Sequence, residues 1–152
     1  RNTPPSPRVR AVAAFLERCG IRYSVPEDMR AAQWRKFILN VGINQAQAVL
    51  RAPCRELQEH PDSMRLARDL MDEAAAVAAA LGIPGAAELP AWAESIIRAA
   101  APENKTSMLQ DVEAGRPTEV DWLAGTVCRL GREHGIPTPV NERVWRQLRP
   151  SA

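Results

Sequence analysis

The sequence contains few of the residue types from which metal sites and hydrolytic triads are built. Its two histidines, His60 and His134, are isolated, which excludes a histidine metal cluster and a Ser-His-Asp grouping. The three cysteines, Cys19, Cys54 and Cys128, lie far apart and form no C-x-x-C pair. Free thiols of this kind are typical of a cytoplasmic protein, and we predict no metal site.

Glycine-rich phosphate-binding motifs are missing as well, both G-x-G-x-x-G and the P-loop. If a nucleotide is used, these residues lack the usual cradle for its phosphates. The 20 basic and 18 acidic residues nearly balance and the basic ones are scattered, so we expect no nucleic-acid partner. The longest uncharged run, residues 74–87, is shorter than the about 20 apolar residues of a membrane helix, so we expect no membrane partner.

Lysine is scarce, and this scarcity is informative. The 20 basic residues include only two lysines, Lys36 and Lys105; the rest are arginine. Arginine keeps its proton near neutral pH, whereas lysine can release a proton when its surroundings lower its pKa. Chance explains Lys105 as well as any function does, but the neighbours of Lys36 favour a chemical role.

Lys36 belongs to a polar stripe on a predicted helix that is otherwise apolar, residues 34–50. Lys36, Asn40 and Asn44 recur at a spacing of four, so they form a line about 12 Å long that drifts by about 40° per step. Gly42 would let another group approach the helix backbone closely. The apolar residues around the stripe are Trp34, Phe37, Ile38, Leu39, Val41 and Ile43. The stripe either satisfies backbone groups of a neighbouring helix, or faces water, or forms a site, because an unsatisfied buried amide costs about 1–3 kcal/mol.

Proline and glycine divide the rest of the sequence into helices. Glycine–isoleucine pairs at 20–21, 82–83 and 135–136 each follow a helical pattern and predict a helix end, because glycine accepts the left-handed conformation. The predicted helices cover about residues 7–19, 28–50, 55–60, 61–81, 90–101, 105–115, 118–134 and 139–148.

Residues 21–25, IRYSV, are a strand candidate in this helical pattern. A lone strand has unpaired edge groups, so it calls for a partner elsewhere. Because the chain also begins at Arg1 rather than at methionine, we expect a fragment from which a preceding sheet has been removed.

A second polar stretch spans residues 103–125. Asn104 or Thr106 is suited to cap a helix, Ser107 to its first turn, and Glu119 to complement a helix dipole. Sequence spacing alone does not bring this stretch next to Lys36.

Together these stretches resemble a known family. WRKFILNVGIN at 34–44 and NKTSMLQDVEAGRPTEVDWLAG at 104–125 are similar to the paired motifs of ketopantoate reductases (2-dehydropantoate 2-reductases). GIPTPVNERVWRQL at 135–148 resembles that family's C-terminal helix, and the resemblance covers roughly residues 20–149. It implies an all-α fold, similar to the C-terminal domain of 6-phosphogluconate dehydrogenase, for residues 27–152. Residues 1–26 would then be a linker and a helix-strand remnant of a Rossmann domain that binds the dinucleotide.

The resemblance also implies a reaction and its residues. NADPH, bound mainly by the missing N-terminal domain, would reduce the carbonyl of 2-dehydropantoate, a small 2-keto acid, to pantoate for pantothenate biosynthesis. Lys36 matches the catalytic lysine that acts as general acid, and Glu119 matches a carboxylate near it. The residues that match substrate contacts are Asn40, Asn44, Asn104 and Ser107. We expect the fragment to be inactive alone, and to form a homodimer.

The chain departs from the family pattern at Gln45, where members often have proline, and at Cys54, where some have asparagine. These departures leave open a sister 2-hydroxy acid dehydrogenase with a different substrate. A second alternative is a non-catalytic helical module that dimerises or binds a partner, because these residues lack the cofactor site. An upstream G-x-G-x-x-G motif would distinguish an enzyme from such a module.

Overall fold

Helices make up almost all the regular structure of residues 5–149, the part of the chain that this computed structural model describes. The elements in chain order are α1 (Pro7–Arg18), α2 (Met29–Leu50), α3 (Cys54–Glu59), α4 (Pro61–Ala80), a 3-10 turn (Ala86–Glu88), α5 (Leu89–Ala99), α6 (Ser107–Glu113), a second 3-10 turn (Glu119–Asp121), α7 (Ala124–His134) and α8 (Pro139–Leu148). The all-α fold is thereby confirmed, and the predicted helix positions agree closely except for the one that follows Thr118.

The strand predicted at residues 21–25 is wrong, because no part of residues 5–149 forms a strand. A strand requires a second strand to share its ladder of hydrogen bonds, and the described chain offers none. The Ile21 amide is used instead to close α1, since it donates to the Leu16 carbonyl at 3.0 Å.

Helices end at the glycine–isoleucine pairs, as predicted. The glycines of pairs 20–21, 82–83 and 135–136 all have φ between 67° and 72°. In each pair the isoleucine N–H donates to the carbonyl five residues earlier, at 2.8–3.0 Å. This is the hydrogen bond that closes a helix whose next residue is left-handed.

The single helix predicted over residues 118–134 is interrupted. A 3-10 turn comes first, and Leu123 then leaves the helical region with φ −91° and ψ −86° before α7 begins. Val120 and Leu123 are both buried, and the break allows both side chains to enter the core. Periodicity alone did not reveal this, because both residues are apolar and fit a continuous helix.

Contacts divide the chain into two units between Gln33 and Trp34, within α2. The first unit, residues 5–33 of the described chain, contains α1 and the first residues of α2. Asp28 starts α2, because its carboxylate accepts a hydrogen bond from Ala31 N at 2.9 Å. No residue of α1 is buried.

The second unit, residues 34–149, holds the core. Helix α4 is its centre and packs against α3, α5, α7 and α8. Every residue of α2 from 41 to 48 is buried. A Cβ added at Gly42 would lie 2.6 Å from the Met71 sulfur and 3.1 Å from the Ala67 carbonyl oxygen, so glycine permits α2 to lie close against α4.

Buried polar side chains join these helices. Glu73 on α4 accepts hydrogen bonds from Val140 N at 2.7 Å and Asn141 N at 2.9 Å, and so caps α8. Gln58 on α3 donates to Ile97 O and to the carbonyl of residue 100, both at 2.9 Å, where α5 ends. None of the helices in residues 5–149 combines the length and the apolar composition that a membrane-spanning helix needs.

Candidate functional site

The polar stripe lies on the part of α2 that belongs to the second unit. Its exposure falls along the helix: Lys36 is exposed, Asn40 is half-buried and Asn44 is 7% exposed. Within residues 5–149 no hydrogen bond or ion pair engages the side chains of these three residues. Asn44 is nevertheless not among the described residues with a fully buried unsatisfied polar atom, so its amide still reaches an opening.

Lys36 differs in this respect from the other lysine. The Lys105 ammonium lies 2.7 Å from a carboxylate oxygen of Glu113, an ion pair on the surface. Lys36 has no carboxylate partner in the described part of the chain. The stripe therefore does not serve to satisfy a neighbouring helix, and its ammonium and two amides are available to a ligand.

The structure brings the second polar stretch to the buried end of this stripe. Gln47, one turn beyond Asn44, is completely buried. Its Oε1 accepts from Thr106 N at 2.8 Å and its Nε2 donates to Asn104 O at 3.1 Å. Asn104 and Ser107, both exposed and both predicted substrate contacts, lie on either side of this attachment.

Gln47 was not predicted from the sequence, although one signal pointed to it. It follows Lys36 by eleven residues, which on a helix returns the side chain to within about 20° of the same direction. Lys36, Asn40 and Asn44 follow one another at a spacing of four, whereas Gln47 follows Asn44 at a spacing of three, so the pattern of four does not include Gln47.

Cys54 lies beside the same attachment and is buried. Its backbone N–H donates to Asn104 O at 3.1 Å, and its sulfur accepts from Gln47 Nε2 at 3.2 Å. Burial raises the pKa of the Cys54 thiol, while hydrogen bonds with Gln47 and Asn104 act in the opposite direction. The thiol is therefore protonated at neutral pH and suits packing rather than nucleophilic attack.

Glu119 is the one predicted residue that no contact joins to the others. It is exposed, at the start of the 3-10 turn, where the Thr118 hydroxyl accepts from Val120 N at 3.4 Å. Among residues 5–149 no ion pair links Glu119 to Lys36. A role for Glu119 beside the lysine stays a prediction.

Gln45, where the chain departs from the family pattern, faces away from the stripe. A helix turns it by about 180° relative to Lys36. It is fully buried, and its Nε2 donates to Val41 O at 2.8 Å and to the Asn141 side chain at 3.2 Å. Gln45 thus joins α2 to α8, on the side of the helix opposite the candidate site.

No group of three or more His, Cys, Asp and Glu side chains within the described chain is arranged to hold a metal ion. The glycine-rich turn between a strand and a helix, which binds dinucleotide phosphates, has no counterpart in residues 5–149. These residues alone do not fit NADPH.

Comparison with known proteins decides the family. A sequence model described as "Ketopantoate reductase PanE/ApbA C terminal" matches residues 28–152. The chain belongs to the ketopantoate reductase family. The 2-dehydropantoate 2-reductase of Pyrobaculum aerophilum is 33% identical over 93% of this chain, and that of Mesorhizobium japonicum is 34% identical over 95%.

The fold agrees with this family as well. A solved structure described as a dimeric ketopantoate reductase from Staphylococcus aureus superposes with a TM-score of 0.85 over 95% of this chain, at 25% identity. The chain spans 50% of the Pyrobaculum relative, 44% of the Mesorhizobium relative and 50% of the Staphylococcus structure. The match to ketopantoate reductases therefore concerns about half of each relative.

Proposed function

We propose that this chain forms the substrate-binding and proton-donating part of an NADPH-dependent reductase that converts 2-dehydropantoate to pantoate. One observation carries the proposal. Lys36, Asn40 and Asn44 line one side of α2 without partners among residues 5–149, and this line runs from the exposed to the buried part of the helix, in a chain that belongs to the ketopantoate reductase family. A buried side-chain amide such as that of Asn44 rarely lacks a hydrogen-bond partner, so water or a ligand has to satisfy it.

Lys36 is the proton donor in this proposal. Reduction of a ketone adds negative charge to the carbonyl oxygen, and an ammonium placed there both stabilises the charge and delivers the proton. Arginine would stabilise the charge but retain its proton, which accounts for a lysine in an arginine-rich sequence. Asn40 and Asn44 can each donate and accept, so they hold the ammonium and the substrate hydroxyl without adding charge.

Ser107 contacts the substrate carboxylate in this arrangement, Asn104 makes another polar contact with the substrate, and Glu119 lies near the lysine and the substrate hydroxyl. The support is that residues 104–106 are attached to the end of the stripe through Gln47. A 2-keto acid would then lie with its carbonyl toward Lys36 and its carboxylate toward Ser107. A substrate that bears a negative charge also suits a site with an unpaired ammonium.

NADPH binding requires a separate nucleotide-binding domain, because residues 5–149 do not fit the cofactor. NADPH supplies the hydride when bound. We expect the 152-residue chain alone to show no NADPH binding in calorimetry at micromolar concentration and no turnover of 2-dehydropantoate. Tight binding of NADPH to this chain would overturn the assignment of the cofactor to another domain.

A homodimer is the proposed assembly. The Staphylococcus aureus relative is described as dimeric. In the first unit, a groove of about 350 Å³ is bordered mainly by apolar side chains, including Val9, Val12, Leu16 and Met29. Exposed apolar surface of this kind tends to be covered by a partner, and two-fold dimers are the commonest assemblies.

The lysine substitutions test the proposed reaction. In a two-domain enzyme, in which a nucleotide-binding domain precedes this chain, Lys36→Ala should lower kcat by about 10²–10⁴ with NADPH and 2-dehydropantoate. Lys36→Arg should be nearly as inactive. The control is Arg146→Ala on α8, which removes a surface cation paired with Glu142 and should leave kcat within about threefold, as expected for a surface ion pair.

Two results would count against the proposal. If Lys36→Arg restored most of the activity, proton donation would be excluded and only charge stabilisation would remain. If the unsubstituted two-domain enzyme bound NADPH but reduced other 2-keto acids and not 2-dehydropantoate, the substrate assignment would be wrong.

A further inference from the structure

Gln47 is the fourth polar residue of the stripe and its most buried one. It points within about 20° of Lys36 and lies about 16 Å farther along α2. It is fully buried, whereas Asn44 keeps 7% of its surface. The stripe therefore runs from an exposed ammonium at Lys36 to a buried amide at Gln47.

Each polar atom of the Gln47 side-chain amide forms a hydrogen bond with a residue more than fifty positions away in the sequence. Oε1 accepts from Thr106 N at 2.8 Å, and Nε2 donates to Asn104 O at 3.1 Å and to the Cys54 sulfur at 3.2 Å. Thr106 in turn caps α6, where its hydroxyl accepts from Leu109 N at 3.4 Å. Gln47 thus holds the backbone on both sides of Lys105, directly before Ser107.

We propose that Gln47 is a positioning residue for substrate binding, which sets the separation between Asn104 and Ser107 on one side and Lys36, Asn40 and Asn44 on the other. This role rests on the proposed function, because it assumes that those residues contact the substrate. Gln47 itself is too deeply buried to touch the substrate, so it acts through the segment of residues 104–107. Its loss should weaken substrate binding rather than proton transfer.

Gln45 provides a matched control for this role. It is also a fully buried glutamine on α2, and its Nε2 also makes two hydrogen bonds, but these lead to Val41 and Asn141 on the opposite side of the helix. Gln47→Met and Gln45→Met each replace the amide by an apolar side chain of similar length. Gln45→Met also removes a buried oxygen, Gln45 Oε1, that has no hydrogen-bond partner within the described chain, so it should cost less stability than Gln47→Met. Only Gln47→Met should release the 104–107 segment.

Amide hydrogen exchange of the 152-residue chain tests the attachment. In Gln47→Met, the Thr106 amide loses its acceptor, and its exchange should accelerate at least tenfold relative to the unsubstituted chain. In Gln45→Met the same amide should stay within twofold. Equal exchange rates at Thr106 in the two variants would overturn the proposal, whatever the global stability of each.

Kinetics in the two-domain enzyme test the consequence for the substrate. Gln47→Met should raise KM for 2-dehydropantoate at least tenfold and leave kcat within about threefold, whereas Gln45→Met should change neither by more than about threefold. A matching rise of KM in both variants, or a loss of kcat alone in Gln47→Met, would overturn the positioning role. If the unsubstituted enzyme does not turn over 2-dehydropantoate, the proposed function is contradicted, and the role of Gln47 in substrate binding is contradicted with it. The exchange rate of the Thr106 amide still tests the attachment of the 104–107 segment to Gln47.

Gln47→Glu keeps the test decisive if Gln47→Met does not fold. Its carboxylate still accepts from Thr106 N, but once ionised it has no proton to donate to Asn104 O. Burial raises the pKa of a carboxyl, so KM should rise with pH over the range in which the buried acid ionises, with no such trend in Gln45→Glu. A KM independent of pH and equal to that of the unsubstituted enzyme would overturn the proposal.

Discussion

Helix α1 in the first unit and helix α4 in the second both carry apolar side chains at helical spacing, yet only α4 buries them. Nine residues of α4 are buried and none of α1. Val12 and Phe15 are 53% and 56% exposed, whereas Leu70 and Met71 are completely buried. A periodic apolar pattern predicts that a helix forms with an apolar side, but what covers that side depends on other elements.

The two units also differ in how the ends of their helices are stabilised. Helix α1 is capped by its neighbour Ser6, whose hydroxyl accepts from Val9 N at 3.3 Å. Helix α8 is capped by Glu73, which lies on α4 and is distant in sequence. A cap supplied by another helix joins two elements, so its loss should reduce the stability of the whole unit rather than of one helix end.

The largest expected effect comes from truncating apolar residues in the two units. Leu70→Ala removes part of the core and should lower the free energy of unfolding by about 2–5 kcal/mol. Phe15→Ala removes a larger but exposed side chain and should change it by no more than about 0.5 kcal/mol. Urea denaturation measures both, and equal losses would show that α1 belongs to the same cooperative core.

Removing each of the two helix caps should give the next largest effect. Glu73→Gln deprives two backbone N–H groups of α8 of a charged acceptor and should destabilise the chain by about 1–3 kcal/mol. Ser6→Ala should reduce the helicity of α1 and leave the main unfolding midpoint unchanged. Far-ultraviolet circular dichroism measures the helicity, and near-ultraviolet circular dichroism measures the unfolding of the packed core. A shift of the unfolding midpoint in both signals for Ser6→Ala would contradict the prediction.

Self-association in solution should depend on the apolar groove of the first unit. We expect the chain to form dimers at micromolar concentration, with a mass about twice the 16.7 kDa of one chain. Val12→Ser, in the apolar groove of the first unit, should weaken the dimer by about tenfold, or about 1.4 kcal/mol. Light scattering that finds only 16.7 kDa for the unsubstituted chain would exclude dimerisation.

The smallest effect concerns an ion pair at the surface of the second unit. A hydrogen bond with Arg98, together with Arg68, lowers the pKa of Glu94 below its ordinary value. A lowered pKa in the folded state stabilises the fold above the unfolded pKa of about 4.3, and this contribution is lost as pH falls through the folded pKa. Glu94→Gln should therefore be less stable by about 1 kcal/mol or less at pH 7.

The pH dependence of this difference provides the check. Urea midpoints of the unsubstituted chain and Glu94→Gln should differ at pH 7 and converge as the pH falls well below 4.3, where the carboxyl is protonated in both folded and unfolded states. Glu27→Gln, an exposed position in the first unit, should leave the midpoint unchanged at both pH values. A difference that persists in acid would show that packing rather than charge stabilises the Glu94 contact.

Several elements were predictable because their causes are local. The glycine–isoleucine helix ends at 20–21, 82–83 and 135–136 depend on backbone conformations and on carbonyls five residues away. The stripe of Lys36, Asn40 and Asn44 depends only on the angular step of a helix. The 3-10 turn before α7 was not predictable, because Leu123 leaves the helix in order to reach a core that is formed by other helices.

The sequence by itself determined the helices of this protein, the polar stripe on α2 and membership of the ketopantoate reductase family, because each follows from residue types at short spacing or from motifs in order. Only the tertiary structure decided that residues 104–106 attach to the end of the stripe, that Gln47 makes the attachment and that Gln45 faces the other way. Those contacts join residues 57, 59 and 96 positions apart. Which distant groups meet depends on how the buried helices pack, and a buried amide accepts whichever backbone partner that packing presents to it.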